Sequence, residues 1–281
     1  MSEVGAAARP RHNRLVWIGG VMTASLVLAA VTAPWLAPYD PLAAVADSFG
    51  DPFPPQAAHW LGTDELGRDV LSRLLYGARL SLLVAAVATG ITLVIGVGVG
   101  VAAGFAGGWI DTLLMRSTDV VLAFPALLLS IALAALMDPG LTALFVVIGL
   151  VSWTTVARTV RAEVLSLRER DFIAAVRSLG ANPFHIVARH VLPNVWPTIL
   201  IMAALSTSQV ILLDAGLSYL GFGVPVPNPS WGRMISDSES LYRAAPWLMI
   251  FPGLAIVYAV IAFNFLGYGL LARSETTASD H

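Results

Sequence analysis

Six runs of predominantly apolar residues, each long enough to cross a bilayer, constrain this chain more than any motif in it. They cover approximately 15–37, 80–106, 119–137, 140–157, 194–215 and 246–271, each bounded by charge or by Pro and Gly. A spanning helix needs roughly 17 to 25 apolar residues, because in hydrocarbon every backbone polar group must be satisfied within the segment. The composition agrees: 57% of the residues are hydrophobic and 12% charged, against about 25% charged in soluble domains. The fold class expected from these runs is an all-α integral membrane protein with six transmembrane helices. The first run follows Arg9, Arg11 and Arg14, yet it is longer than the usual ~7–15-residue core of a signal peptide and reads as a retained span.

Composition also removes whole classes of chemistry. Cysteine is absent, which excludes disulfides, thiolate metal sites and a cysteine nucleophile. Lysine is absent too, all 16 basic residues being Arg, so the chain has neither a P-loop lysine nor a Schiff-base lysine. A net charge of −2 gives no footprint for nucleic acid. The five histidines, at 12, 59, 185, 190 and 281, form no Ser/His/Asp arrangement that would suggest an intramembrane hydrolase. Gly98, Gly100 and Ala103 resemble a dinucleotide fingerprint in spacing, but the soluble βαβ unit that motif needs is missing.

Six spans place both termini on one side, and the arginines say which. With the N-terminus inside, Arg9, Arg11, Arg14, Arg116, Arg158, Arg161, Arg168, Arg170, Arg177, Arg189 and Arg273 are cytoplasmic, while Arg68, Arg73, Arg79, Arg233 and Arg243 lie outside. That imbalance satisfies the positive-inside rule and makes segment 158–193 cytoplasmic.

Outside the membrane, residues 38–79 begin as a Pro-rich acidic stretch and end as an amphipathic helix. Val70, Leu71, Leu74, Leu75 and Ala78 share one face of it, and Asp69 and Arg73 form an i, i+4 pair. Thr63 and Asp64 read as its cap, and with His59 and Asp69 too widely spaced for a compact metal site, no metal is expected. Residues 216–245 read as a Gly/Pro/Asn-rich loop too broken for a helix. In span 2, Gly96, Gly100, Gly104 and Gly108 recur at steps of four, a small-residue face for close approach by another helix. Asp119 and Asp214 are the acids closest to the bilayer. Acids there are functional candidates, and Asp214 is the candidate for the translocation pathway.

The cytoplasmic stretch "DFIAAVRSLGANPFHIVARHVLP", residues 171–193, is the most informative segment. With Leu165 before them, Phe172, Val176 and Leu179 recur at helical spacing, Gly180 arrives where a helix C-cap favours a left-handed residue, and Asn182-Pro183 restarts the helix. Phe184, Val187 and Val191 continue an apolar stripe up to Pro193, which is expected to stop it. This is a helical hairpin with apolar faces where no lipid covers them. A loop resting on headgroups would serve topology alone; a knob for a cytoplasmic groove explains the apolar face as well.

The same stretch resembles the cytoplasmic EAA loop of ABC importer permeases. Ala174-Ala175-Val176 stand at the E-A-A triplet, Gly180 at its glycine and Leu192-Pro193 at its ending, with Ala174 in place of the usual Glu and His190 in place of the usual Ile. The nearby charges are Arg177, Arg189 and Glu169. "HWLGTDELGRDVLSRLLYGARLSL" (59–82) and "LSYLGFGVPVPNPSWGRMI" (217–235) are similar to segments of the C-type subunit of dipeptide, oligopeptide and nickel importers. Residues 246–270 match its last span, with Tyr268 where an Asp is common.

The resemblance implies a type I ABC importer permease fold, with residues 1–79 an N-terminal region containing the first span, 80–271 the permease domain and 272–281 a cytoplasmic tail. It implies residence in a bacterial inner membrane, a homologous second permease, an extracytoplasmic binding protein that delivers peptide (nickel or another small solute being the alternative), and two ATPase subunits. Those subunits, and no site in this chain, would hold ATP and Mg. Phe172, Ala174, Ala175, Val176, Arg177, Gly180, Phe184, Arg189 and Pro193 would carry the coupling contact. An ion-driven secondary transporter is the rival class, but the span centres carry no Arg, Glu or Lys and no internal repeat stands out.

Overall fold

The computed structural model describes residues 9–44 and 50–279, with side chains from 14 to 274 within those limits. The side chains of Arg9, Arg11 and His12, part of the acidic run before span 2, and the last two residues of the tail, including His281, lie outside the described residues. Helices account for nearly all of the secondary structure: α1 Arg9–Leu36, α2 Val70–Ala106, α3 Gly108–Leu122, α4 Ala126–Ala134, α5 Leu141–Arg168 and α6 Asp171–Ser178. There follow α7 Pro183–Ile186, a π-helical turn Val187–Val191, α8 Leu192–Tyr219, α9 Trp231–Asp237 and α10 Trp247–Ser279. Among the described residues five helices are long and apolar enough to span a membrane, or six if the bent pair α3–α4 counts as one.

Span 3 is therefore a broken element: α3 and α4 meet at an angle of 87°. Pro125 stands at the break; it supplies no N–H and biases Phe124 away from helix. Span 2 and the expected amphipathic helix before it are one continuous helix of 37 residues, about 55 Å long at 1.5 Å per residue. The first turns of α2 thus stand beyond the hydrocarbon. Asp69 caps α2 by accepting the Ser72 amide at 2.8 Å, so it does not pair with Arg73, and Thr63-Asp64 lies one turn too early to cap the helix. Asp64 instead closes its own turn by accepting the amides of Leu66 and Arg68 at 2.9 Å.

The glycine stripe of α2 works as its spacing suggests over three of its four members. A Cβ at Gly96, Gly100 or Gly104 would stand 2.6–2.8 Å from atoms of Val156, Ala157 or Val164, so these glycines let α5 lie directly on α2. Gly108 differs: α2 ends at Ala106, Gly107 and Gly108 both have positive φ, and the chain turns there into α3. Two Arg–Asp pairs strap α3 to α5, Arg161 to Asp111 at 2.5 and 2.6 Å and Arg158 to Asp119 at 2.6 Å. At the opposite end of α2, segment 216–245 is more ordered than its composition suggests. It contains α9, capped by Ser230, whose Trp231 is buried and donates its indole N–H to Leu74 O at 3.2 Å.

Candidate functional site

The hairpin at 171–193 is built on a short helix with a complete C-terminal cap. Gly180 has φ +80°, its amide donates to Arg177 O at 3.0 Å, and the Ala181 amide donates to Val176 O at 3.4 Å. This is the Schellman pattern, whose left-handed residue favours glycine. Asn182 then caps α7, its side-chain oxygen accepting the Phe184 amide at 2.9 Å, with Pro183 in the first turn. The expected helix, glycine-capped turn and Asn-Pro restart are all present.

Which apolar side chains point inward differs from the stripe drawn on the sequence. Ile173, Ile186 and Val191 are fully buried, against Val101 of α2, Val160 and Val164 of α5 and Val195 of α8. Leu179 is 87% exposed and Phe184 79%. Phe172 is partly exposed, its ring tilted against that of His190 at 6.5 Å between centroids. Glu169-Arg170 interrupts the helix between α5 and α6, which resets the helical phase; a stripe counted across that break misses Ile173. The hairpin is thus seated on the bundle by one apolar set and presents a second to the cytoplasmic side.

Of the other residues singled out in the sequence, Ala174, Ala175, Arg177, Gly180, Arg189 and Pro193 are exposed and Val176 is half-buried. Arg177 lies over the Phe105 ring at 5.9 Å, linking the hairpin to the end of α2. Leu179, the most exposed large apolar residue of the hairpin, was visible in the sequence as part of the stripe; it sits next to the glycine cap.

Pro193 does not stop the second helix. The π-helical turn precedes it, with the Leu192 amide donating to Val187 O five residues back, and Asn194 Nδ2 donates to His190 O at 2.6 Å. The widened turn accommodates the proline ring, which would clash with a carbonyl in a regular helix. Pro183–Tyr219 is consequently one helical run of 37 residues, mechanically continuous from hairpin to membrane.

A second cluster forms far from the hairpin, between the start of α2 and α9. Arg73, 2% exposed, stands 3.3 Å from Asp64 and 3.5 Å from Asp237. Each of those carboxylates also takes a nearer arginine at 2.7 Å, Arg68 and Arg233 respectively. The segments 50–73 and 231–237 are locked together by alternating charge. His59 belongs to the same region, with Nδ1 3.0 Å from Asp69 Oδ1.

Asp214 is 2% exposed and has Ser218 Oγ at 3.4 Å as a hydrogen-bond donor. An open groove of about 420 Å³ between α3–α4, α5 and α8 is lined by Thr154, Thr155, Gln209, Leu212 and Gly216. Asp214 is about 160° around α8 from Leu212 and Gly216, so it lies behind this groove.

Comparison with known proteins decides the class of this architecture. Residues 96–278 match the family model described as binding-protein-dependent transport system inner membrane component. The chain belongs to that family of ABC importer permeases. Residues 6–55 match the N-terminal transmembrane domain of oligopeptide transport permease C. The permease is 39% identical over 266 residues to the dipeptide transport system permease protein DppC of Alkalihalophilus pseudofirmus, covering 92% of this chain and 85% of that protein. It is 36% identical to the oligopeptide permease OppC of Bacillus subtilis, covering 94% and 86% respectively. In fold it is similar to a chain of the inward-facing MetNI methionine ABC transporter, with a TM-score of 0.62, 21% identity, and coverage of 73% of this chain and 96% of that one. The permease is a multi-pass inner membrane protein of the type I importer fold.

Proposed function

We propose that this permease forms half of the pathway of an ATP-driven importer for dipeptides or oligopeptides, and that its 171–193 hairpin is the contact for an ATPase subunit. The observation that carries the coupling reading is the division of the hairpin into a buried apolar set and an exposed one. Exposed Leu179 and Phe184 on a rigid, capped turn suit insertion into a groove of a soluble partner, and Arg177 and Arg189 supply charge where Ala174 cannot. Since hairpin, π turn and α8 are one run, a displacement of the hairpin would move α8 and the wall of the open groove. In this reading Gln209, Thr154 and Thr155 face the substrate, and the role expected of Asp214 becomes support for α8 from behind.

The remaining subunits follow from the same proposal. A homologous second permease completes the pathway, two ATPase subunits hold ATP and Mg, and a binding protein docks on the charge-locked outer surface built from 38–79 and 216–245. This chain then performs positioning and coupling and no catalysis. Both termini are cytoplasmic, residues 80–271 form the permease domain, 1–79 the N-terminal region and 272–281 the tail. The peptide class rests on the names of the DppC and OppC relatives.

Proteoliposomes holding the assembled importer test the function. With the binding protein outside and ATP inside, a labelled dipeptide should accumulate; accumulation driven by an ion gradient without ATP would refute the reading. Uptake of a nickel chelate with no peptide uptake would refute the substrate class.

A further inference from the structure

A groove of about 1,110 Å³ opens between α1 and α2, at the end of the molecule away from the hairpin. Val27 and Val31 of α1 and Leu83 and Ala86 of α2 form its apolar depth, and Asp40, Tyr76 and Arg79 stand at its mouth. Arg79 is exposed and has no carboxylate partner among the described residues; its guanidinium lies over the Tyr76 ring at 5.7 Å. Asp40 is likewise exposed; its Oδ1 accepts the Leu42 amide and no cation pairs with it among the described residues. The mouth therefore offers one cation and one anion above an apolar slot.

The helix geometry places this mouth at a bilayer surface. Phe105 of α2 touches the hairpin through Arg177, and Arg79 lies 26 residues before it, about 39 Å along the helix. That distance is close to the ~40–45 Å thickness of a bilayer with its headgroup regions included. Tyr76 beside Arg79 is the aromatic type enriched at that depth. Arg79 thus stands at headgroup level in the leaflet opposite the hairpin, and Ala86 about 10 Å deeper among acyl chains.

We propose that this groove is a binding site for a glycerophospholipid with a primary-amine headgroup. The phosphate pairs with Arg79, the amine with Asp40, and one acyl chain fills the slot between α1 and α2. A planar guanidinium suits a phosphate, and the Asp40 carboxylate favours an amine-bearing headgroup over an anionic one. α1 contacts the bundle mainly through α10 and α2, so a lipid wedged here fixes the first helix against the second.

The assembled importer, reconstituted in nanodiscs of mixed phosphatidylethanolamine and phosphatidylglycerol, tests the site with photo-reactive analogues of each lipid carrying a diazirine on the acyl chain. Adducts of the ethanolamine analogue are expected on 27–34 and 83–86. Arg79→Gln should lower their yield about tenfold, the scale of one charged hydrogen bond. Leu83→Trp should abolish them by filling the slot while Arg79 remains. Asp40→Asn should remove the preference for ethanolamine over glycerol headgroups. Wild-type protein without adducts in the groove, equal yield in Arg79→Gln, or equal preference in Asp40→Asn would each overturn the proposal.

Discussion

Gly100 of α2 and Val160 of α5 pack so closely that a Cβ on the glycine would lie 2.8 Å from the valine Cβ. Gly98, two residues away on the same helix, has open space where its Cβ would be. Gly100→Ala should therefore destabilise the bundle by about 1–3 kcal/mol, the usual cost of overpacking. Gly98→Ala should be neutral or stabilising by up to about 1 kcal/mol, from helix propensity alone. Thermal melts of the purified permease in detergent measure both, and equal effects would show that α5 does not rest on that glycine face.

Removing Arg73 leaves two carboxylates, Asp64 and Asp237, facing a buried gap. Arg73→Gln should cost about 1–3 kcal/mol, less than the loss of one partner from an isolated buried pair, because Asp64 and Asp237 keep Arg68 and Arg233 at 2.7 Å. It should also make segment 50–69 more accessible to protease, since this charge cluster helps tie that segment to α9. Arg79→Gln, six residues on and exposed, should leave proteolysis unchanged.

Much of this was legible in the sequence, and what was not has a physical reason. Lengths of apolar run located the spans, because a bilayer imposes length on any helix crossing it; local capping rules located the hairpin, because Gly180 and Asn182 act on neighbours within two to four residues. The Arg73–Asp237 pair joins residues far apart in the chain, and no local rule brings them together; i, i+4 spacing instead suggested Asp69. Two prolines misled in opposite directions. Pro125 was a sufficient signal for the break in span 3 but sat inside an apolar run, whereas Pro193 looked like a stop and is carried by a π turn that nothing in the letters announces. The inward set of the hairpin was misjudged because the stripe was counted through Glu169-Arg170, where the helix is interrupted.

Gly180 has open space around it, so any substitution there acts through the backbone alone. Gly180→Val should strain the left-handed position by about 1–3 kcal/mol, whereas Gly180→Asn, a residue that tolerates this conformation, should be much milder. Membrane insertion is expected to be normal in both. Transport-coupled ATP hydrolysis should fall in Gly180→Val and persist in Gly180→Asn. Equal hydrolysis in the two variants would separate the cap from coupling.

Asp214 and Gln209 occupy different sides of α8. Asp214→Asn keeps the shape and the Ser218 contact, so dipeptide uptake should change by no more than about twofold, less than the effect of one neutral hydrogen bond. Gln209→Leu, in the groove, should alter uptake or peptide preference while leaving the melting temperature in place. A large loss in Asp214→Asn together with a silent Gln209→Leu would return the pathway role to Asp214.

Whether the outward face of the hairpin meets an ATPase subunit can be measured directly, because the chain has no native cysteine. In Leu179→Cys the introduced thiol is the only one in the chain. It should react rapidly with a soluble maleimide in the permease alone and become protected by tenfold or more, on the order expected of a buried interface contact, when the ATPase subunits assemble. Ile173→Cys, on the seated face, should be slow in both states. Leu179→Cys labelling at the same rate with and without the ATPase would show that the outward face of the hairpin meets no ATPase subunit.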